Sequence, residues 1–140
     1  MAASDPTPND PTVLVVDDDH EIRQTVMDIL RRAGCRVVEA ADGPAAIAAA
    51  VSARPDLVFL DMTMPGGMDG AQVAAELRRR FENEPMPLVV LSAGSDPEDR
   101  ERALRAGCNL YLTKPCAPSR IREVLRVMLA KGQDGGELGS

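Results

Sequence analysis

Five short apolar runs constrain this chain more than any other feature of its 140 residues, at positions 12–16, 35–40, 57–60, 88–91 and 110–113. Each is rich in Val, Leu or β-branched residues and too short for an ordinary helix, so each reads as a strand. Leu57-Val58-Phe59-Leu60 has no polar alternation, which marks a strand buried on both faces. The segments between the runs carry helical signals. Asp18 or Asp19 can cap a helix with Ile22, Val26, Ile29, Leu30 and Ala33 on one face, Arg31 and Arg32 suiting its C-terminal dipole and Gly34 ending it. Asp42-Gly43-Pro44 starts an Ala-rich helix through Ala53, with Ile47 and Val51 on one face. A third helix spans residues 71–80 and ends in three arginines. Asp96-Pro97-Glu98-Asp99 supplies a cap, an N1 proline and first-turn acids for a fourth, which closes at Gly107. Pro118-Ser119 opens the fifth, with Ile121, Val124, Leu125, Met128 and Leu129 on its face. Strands that alternate with helices in this way predict an α/β domain whose parallel sheet is covered on both faces.

Size and charge narrow the function. At 44% hydrophobic residues the chain is globular, and no apolar run approaches the ~20 residues that cross a bilayer. Residues 1–11 are polar and Pro-rich, with no apolar core of a secretory signal, and read as a disordered N-terminal segment. The folded unit is expected over 12–131. The Gly-rich stretch 132–140 reads as a disordered tail or an expression remnant. Cys35, Cys108 and Cys116 are odd in number and form no C-x-x-C pair, so free thiols in a reducing cytoplasm are expected. The net charge of −6 argues against direct nucleic-acid binding by the whole surface. Positive charge concentrates late: residues 96–131 hold eight basic and five acidic groups, against eight and fifteen in residues 1–95.

The chemistry lies at the strand ends. Asp17 and Asp18 follow the first run, Asp61 the third, Ser92 the fourth and Lys114 the fifth. In a doubly wound sheet these ends open on one edge, where ligands bind. Three carboxylates together raise at least one pKa unless a cation neutralises them. With oxygen donors and no His or Cys ligand, the natural cation is Mg²⁺. Ser92 adds a hydroxyl and Lys114 a compact charge, the groups suited to a transferred phosphoryl. Lys114 stands out because the chain has 14 Arg and only two Lys. Taken singly, the Asp triplet could be a helix cap and Ser92 a turn residue. Together, at the ends of four strands, they exceed what capping needs.

The segments Val15-Val16-Asp17-Asp18, Leu60-Asp61-Met62-Thr63-Met64-Pro65, Leu91-Ser92-Ala93 and Tyr111-Leu112-Thr113-Lys114-Pro115 closely resemble the receiver domain of two-component response regulators, bacterial signalling proteins, from about Val13 to Leu129. The resemblance implies a flavodoxin-like doubly wound sheet of order 2-1-3-4-5 with five flanking helices. It implies that Asp61 accepts a phosphoryl group from a histidine kinase or a histidine phosphotransfer protein. Asp17, Asp18, Asp61 and the backbone carbonyl of Thr63 would hold Mg²⁺, Ser92 would bond the phosphoryl oxygen, and Lys114 would pair with it. Ser92 and Tyr111 would form the switch that remodels a partner-binding face on the fourth helix, fifth strand and fifth helix. Such a protein is a phosphoacceptor rather than an enzyme, assisting its own phosphorylation and slow dephosphorylation.

Some positions depart from the family pattern. Gly66 and Gly67 lengthen the loop after Pro65 by about one residue, Cys116 replaces a bulky apolar residue, and His20 reads as exposed in the first helical turn. Arg100, Arg102, Arg105, Arg122 and Arg126 form a candidate docking face on the last two helices, with solvated helix faces as the simpler reading. A haloacid-dehalogenase-type phosphatase would need an acid two residues after its nucleophile, where Thr63 stands, and a nucleotide binder would need a Gly-rich loop after the first strand. A phosphorylation-independent protein-binding module is the remaining alternative. The chain reads as a stand-alone receiver or one excised from a longer protein.

Overall fold

The computed structural model describes residues 9–84, 86–94 and 96–133. The elements run β1 (Thr12–Val16), α1 (His20–Arg32), β2 (Arg36–Ala40), α2 (Gly43–Ala53), β3 (Leu57–Asp61), α3 (Gly70–Arg80), β4 (Leu88–Ser92), α4 (Pro97–Arg105), β5 (Leu110–Thr113) and α5 (Pro118–Gln133). All four strand pairings are parallel, in the order β2-β1-β3-β4-β5. The reversal falls between β1 and β3, the place where an open α/β sheet forms a crevice. The expected fold is the observed one.

Strand alternation splits the core into two layers. Val13, Val15, Leu57, Phe59, Val89 and Leu91 point toward α1 and α5, where they meet Met27, Leu30, Ile121 and Val124. Leu14, Val16, Val58, Leu60, Leu88 and Val90 point the other way, against Ala46 and Ala50 of α2 and Val73, Ala74 and Leu77 of α3. Every residue of β3 and β4 is buried, as a central parallel strand requires. Burying a Leu or Phe side chain contributes about 2 kcal/mol, so these layers are the main source of stability.

Aspartates start the first four helices where the strands stop. Asp19 rather than Asp18 caps α1, accepting from the Ile22 N–H at 3.1 Å. Asp42 accepts from the Ala45 N–H at 2.8 Å, and Asp69 forms a reciprocal capping box with Gln72 at 2.9 Å in both directions. Asp96 accepts from the Glu98 N–H, one residue before the N1 proline that fixes the start of α4.

Three expected core positions, Ile22, Ala33 and Val51, are not in the core. Ile22 is 36% exposed and Val51 48% exposed. On α2 the small Ala46 and Ala50 face the sheet and let the helix approach closely, which leaves Val51 outside. On α1 the buried residues are Val26, Met27 and Leu30, while Ile22 and Ile29 line a groove and Ala33 is exposed at the cap. Strands β3 and β4 each extend one residue past the apolar run, so that Asp61 and Ser92 pair within the ladder. Helix α5 reaches Gln133, past the expected end at Lys131. The expectations for residues 1–8 and 134–140 lie outside the described residues. Ahead of β1, the Pro11 carbonyl accepts from the Arg36 N–H at 2.8 Å. No helix among the described residues is long and apolar enough to cross a membrane.

Candidate functional site at the carboxyl edge of the sheet

Asp17 and Asp61 leave the sheet on adjacent strands. Asp17 comes one residue after β1, and Asp61 ends β3 beside it. Both continue the alternation that turns Val13, Val15, Leu57 and Phe59 toward α1 and α5, which is why their carboxylates emerge together. Asp61 is 5% exposed and Asp17 3%, whereas Asp18 is exposed to solvent. One oxygen from each of Asp17, Asp18 and Asp61 lies within 4.8 Å of the others. Among the described residues this is the one group of three metal-ligating side chains so placed.

Lys114 reaches in from the end of β5. Its Nζ donates to Asp17 Oδ2 at 2.8 Å and lies 3.0 Å from Asp61 Oδ1. Its backbone N–H bonds the Ser92 carbonyl at 2.7 Å, and a cis peptide joins it to Pro115. Burial pushes the Asp61 carboxyl up to about 6; Lys114 pulls it back by hydrogen bonding, and the Asp17 charge adds to the rise. Burial alone would lower the Lys114 pKa, but hydrogen bonds to Asp17 and Asp61 outweigh it and hold the group above its ordinary value. The ammonium is therefore charged, while the Asp61 carboxyl gives up its proton less readily than an ordinary carboxyl group.

Three carboxylates face one ammonium, leaving an excess of two negative charges on an all-oxygen donor set with one acid open to solvent. That set fits a hard divalent cation such as Mg²⁺. Neither a histidine nor a thiol belongs to the cluster. His20 is exposed, as expected, and its Nδ1 lies 3.1 Å from Arg23 Nη2.

The other expected site residues are placed less directly. Ser92 is buried at the end of β4, but its Oγ accepts from the Gly94 N–H at 3.3 Å. Thr63 is exposed two residues beyond Asp61. Tyr111 is buried in the layer shared with Ala103 and Cys108, and its hydroxyl has no partner among the described residues. Gly66 and Gly67 both take positive φ, +90° and +84°, in the loop beyond Asp61 and Thr63. Cys116 lines an apolar groove of about 580 Å³ between α1 and the start of α5, beside Lys114. On the candidate docking face, Arg102 pairs with Asp69 and Asp99 and Arg105 with Glu101, while Arg122 and Arg126 line a shallow depression with Ser119, Arg120 and Glu123.

Two supports of the site were not visible as such in the sequence. The Gly70 N–H donates to the Met62 carbonyl at 2.7 Å, and a Cβ at Gly70 would stand 2.5 Å from the Asp61 carbonyl oxygen. The only sequence signal was a glycine just after a capping aspartate. Arg23 donates to the Asp17 carbonyl at 2.7 Å from a turn of α1 that otherwise reads as solvent-facing.

Known proteins place this arrangement in a family. The sequence model of the response regulator receiver domain matches residues 13–126. The chain is 38% identical over 118 residues to the phosphate regulon transcriptional regulatory protein PhoB of Escherichia coli (strain K12), covering 81% of this chain and 51% of that protein. It is 40% identical over 120 residues to the transcriptional regulatory protein PrrA of Mycobacterium tuberculosis, covering 83% and 50%. The chain thus spans about half the length of these curated relatives. Among solved structures, the chemotaxis protein CheY4 of Vibrio cholerae superposes with a TM-score of 0.80 at 33% identity, over 86% of this chain and 99% of that one. With a parallel sheet of order 2-1-3-4-5 and an acid cluster at its switch point, the chain belongs to the response regulator receiver domain family.

Proposed function

We propose that this chain is a phosphorylation-activated switch in which Asp61 accepts a phosphoryl group from the phosphohistidine of a histidine kinase or a histidine phosphotransfer protein. The observation that carries the reading is the convergence of Asp17, Asp18 and Asp61 around the Lys114 ammonium at the carboxyl edge of the sheet. In the transfer, an Asp61 carboxylate oxygen forms the new O–P bond. The N–P bond of the donor breaks, its electron pair stays on the imidazole nitrogen, and that nitrogen takes up a proton. Asp17 and Asp18, with Asp61 and the Thr63 carbonyl, would hold Mg²⁺, which when bound supplies charge neutralisation for the transferred oxygens. Lys114 neutralises a further phosphoryl oxygen and already stands beside Asp61.

The acyl phosphate brings new charge and acceptors to a buried edge. Ser92 would exchange its bond to Gly94 for one to the phosphoryl group. The Tyr111 layer lies behind it, and its repacking would alter the face formed by α4, β5 and α5, where a downstream protein docks. The chain would be the folded receiver unit of a two-component pathway, a phosphoacceptor that turns over no separate substrate and works in the cytoplasm.

Incubation with phosphoramidate and Mg²⁺ followed by intact-mass measurement tests the reading. A Mg²⁺-dependent, hydroxylamine-labile phosphoryl adduct is expected on the wild type and not on Asp61→Asn. If neither phosphoramidate nor a phosphohistidine donor produces an adduct, the site is not a phosphoacceptor and the constitutive binding module takes its place.

A further inference from the structure

The Arg23 side chain is only 11% exposed, yet it belongs to neither core layer. Its guanidinium is engaged by three polar partners. Nη1 donates to the backbone carbonyl of Asp17 at 2.7 Å, Nε donates to Glu39 Oε1 at 2.7 Å, and Nη2 lies 3.1 Å from His20 Nδ1. A cation so enclosed needs a counter-charge, and Glu39 on β2 provides it. Glu39 is itself steadied by a bond from Gln24 Nε2 at 3.2 Å. The Asp17 carbonyl needs a donor for its own reason: it lies one residue past β1, at a residue 3% exposed, where the strand ladder has ended.

That carbonyl belongs to the peptide joining Asp17 to Asp18. Holding its plane sets the directions in which the two acids leave the chain. On the other side, the Asp17 N–H bonds the Ala40 carbonyl at 3.1 Å, so β2 grips Asp17 directly at its amide and through Glu39 and Arg23 at its carbonyl. Between these grips the Asp17 carboxylate accepts from Lys114 Nζ at 2.8 Å and from the Asp19 N–H at 2.9 Å.

We propose that Arg23, oriented by Glu39, is a positioning residue that fixes the Asp17–Asp18 peptide so that both carboxylates converge with Asp61 on one cation site. The inference rests on the reading of the acid cluster as an Mg²⁺ site. Arg23 touches neither the cation nor the phosphoryl group and acts only through the peptide. Outer supports of this kind typically set metal affinity by 10- to 100-fold.

Calorimetric titration of Mg²⁺ into the unphosphorylated full chain tests the role, using wild type, Arg23→Gln, Arg23→Lys, Glu39→Gln and the exposed control Arg32→Gln. Arg23→Gln is expected to bind Mg²⁺ about 10-fold more weakly. Glu39→Gln should fall between it and wild type, and Arg32→Gln should match wild type. Arg23→Lys, which can still donate to the Asp17 carbonyl, should recover part of the loss. In the metal-free protein the Asp19 amide should exchange faster in Arg23→Gln, because the Asp17 carboxylate that holds it is no longer fixed. A purely structural brace would lower Tm while leaving Mg²⁺ affinity unchanged. That outcome in Arg23→Gln, or in Glu39→Gln should Arg23→Gln not fold, overturns the role of Arg23. A wild-type chain that binds no Mg²⁺ overturns the functional reading of the cluster, and this proposal with it.

Discussion

Asp61 sits between one cation and two anions in a site closed to most solvent, and the metal-free protein carries a cost for ionising it. Burial holds its carboxyl up at about 6 in the folded chain, above the ordinary value of 3.8. Between those values the folded state holds a proton that the unfolded state has released, so stability falls as pH rises through the window and stays low above it. Asp61→Asn removes the penalty. Urea unfolding in EDTA should find the variant more stable than wild type by on the order of 2 kcal/mol at pH 7.5, a difference that shrinks to roughly a third at pH 4.5. An equal difference at both pH values would contradict the assignment. Added Mg²⁺ should stabilise wild type at pH 7.5 more than the variant, since the ligand binds only the folded acid cluster. Lys114→Met acts in the opposite sense. It leaves Asp17 and Asp61 facing each other without their ammonium, and should cost about 2 kcal/mol at pH 7.5 in EDTA, less than a fully buried pair because Asp61 can take up a proton. Mg²⁺ should restore much of that loss, which thermal melts with and without the ion would reveal.

Elements matter here through how they end. The last residue of β3 is the proposed acceptor, and the first residue of α3 packs its bare Cα against that residue's carbonyl. A methyl at Gly70 would stand 2.5 Å from the Asp61 oxygen and 2.9 Å from the Met62 Cα, both backbone atoms that cannot swing aside. Gly70→Ala should therefore destabilise the fold by about 2 kcal/mol or more, measured by urea unfolding. Gly66→Ala places its methyl in open space, so it bears only the penalty of a positive φ, about 1 kcal/mol. Near-equal losses in the two variants would contradict the tight β3–α3 junction. The element types and their order were legible because each buried strand is an unbroken apolar run, and because helix-start residues follow the strands: a capping aspartate for α1, α2 and α4, and a proline for α5. Which faces of α1 and α2 are buried was not. Periodicity gave Ile22 the same standing as Val26 on α1, and on α2 it chose Ile47 and Val51 where the small Ala46 and Ala50 face the sheet instead. The Arg23 contact escaped for the same reason, since it joins α1 to β2 and to the end of β1 across a gap that no local pattern records.

At the scale of the whole molecule, one topological feature assembles the site. The chain places β1 between β2 and β3, so the acids that follow β1 and β3 become neighbours although 44 residues separate Asp17 from Asp61. Lys114, 97 residues from Asp17, reaches the same edge from β5. This much was readable, because polar residues that interrupt apolar runs at their carboxyl ends must share one edge of a parallel sheet. The charged surface was less so. Arg102 and Arg105 counted toward a docking face, yet in the fold they pair with Asp69, Asp99 and Glu101, while Arg122 and Arg126 remain exposed along α5. Borohydride reduction shows whether Asp61 itself becomes the acyl phosphate. After phosphorylation with Mg²⁺ present, reduction converts an aspartyl phosphate to homoserine, which tandem mass spectrometry locates in the sequence. Homoserine is expected at position 61 alone, dependent on Mg²⁺; homoserine at 17 or 18, or an adduct that reduction leaves unchanged, would rule out Asp61 as the acceptor.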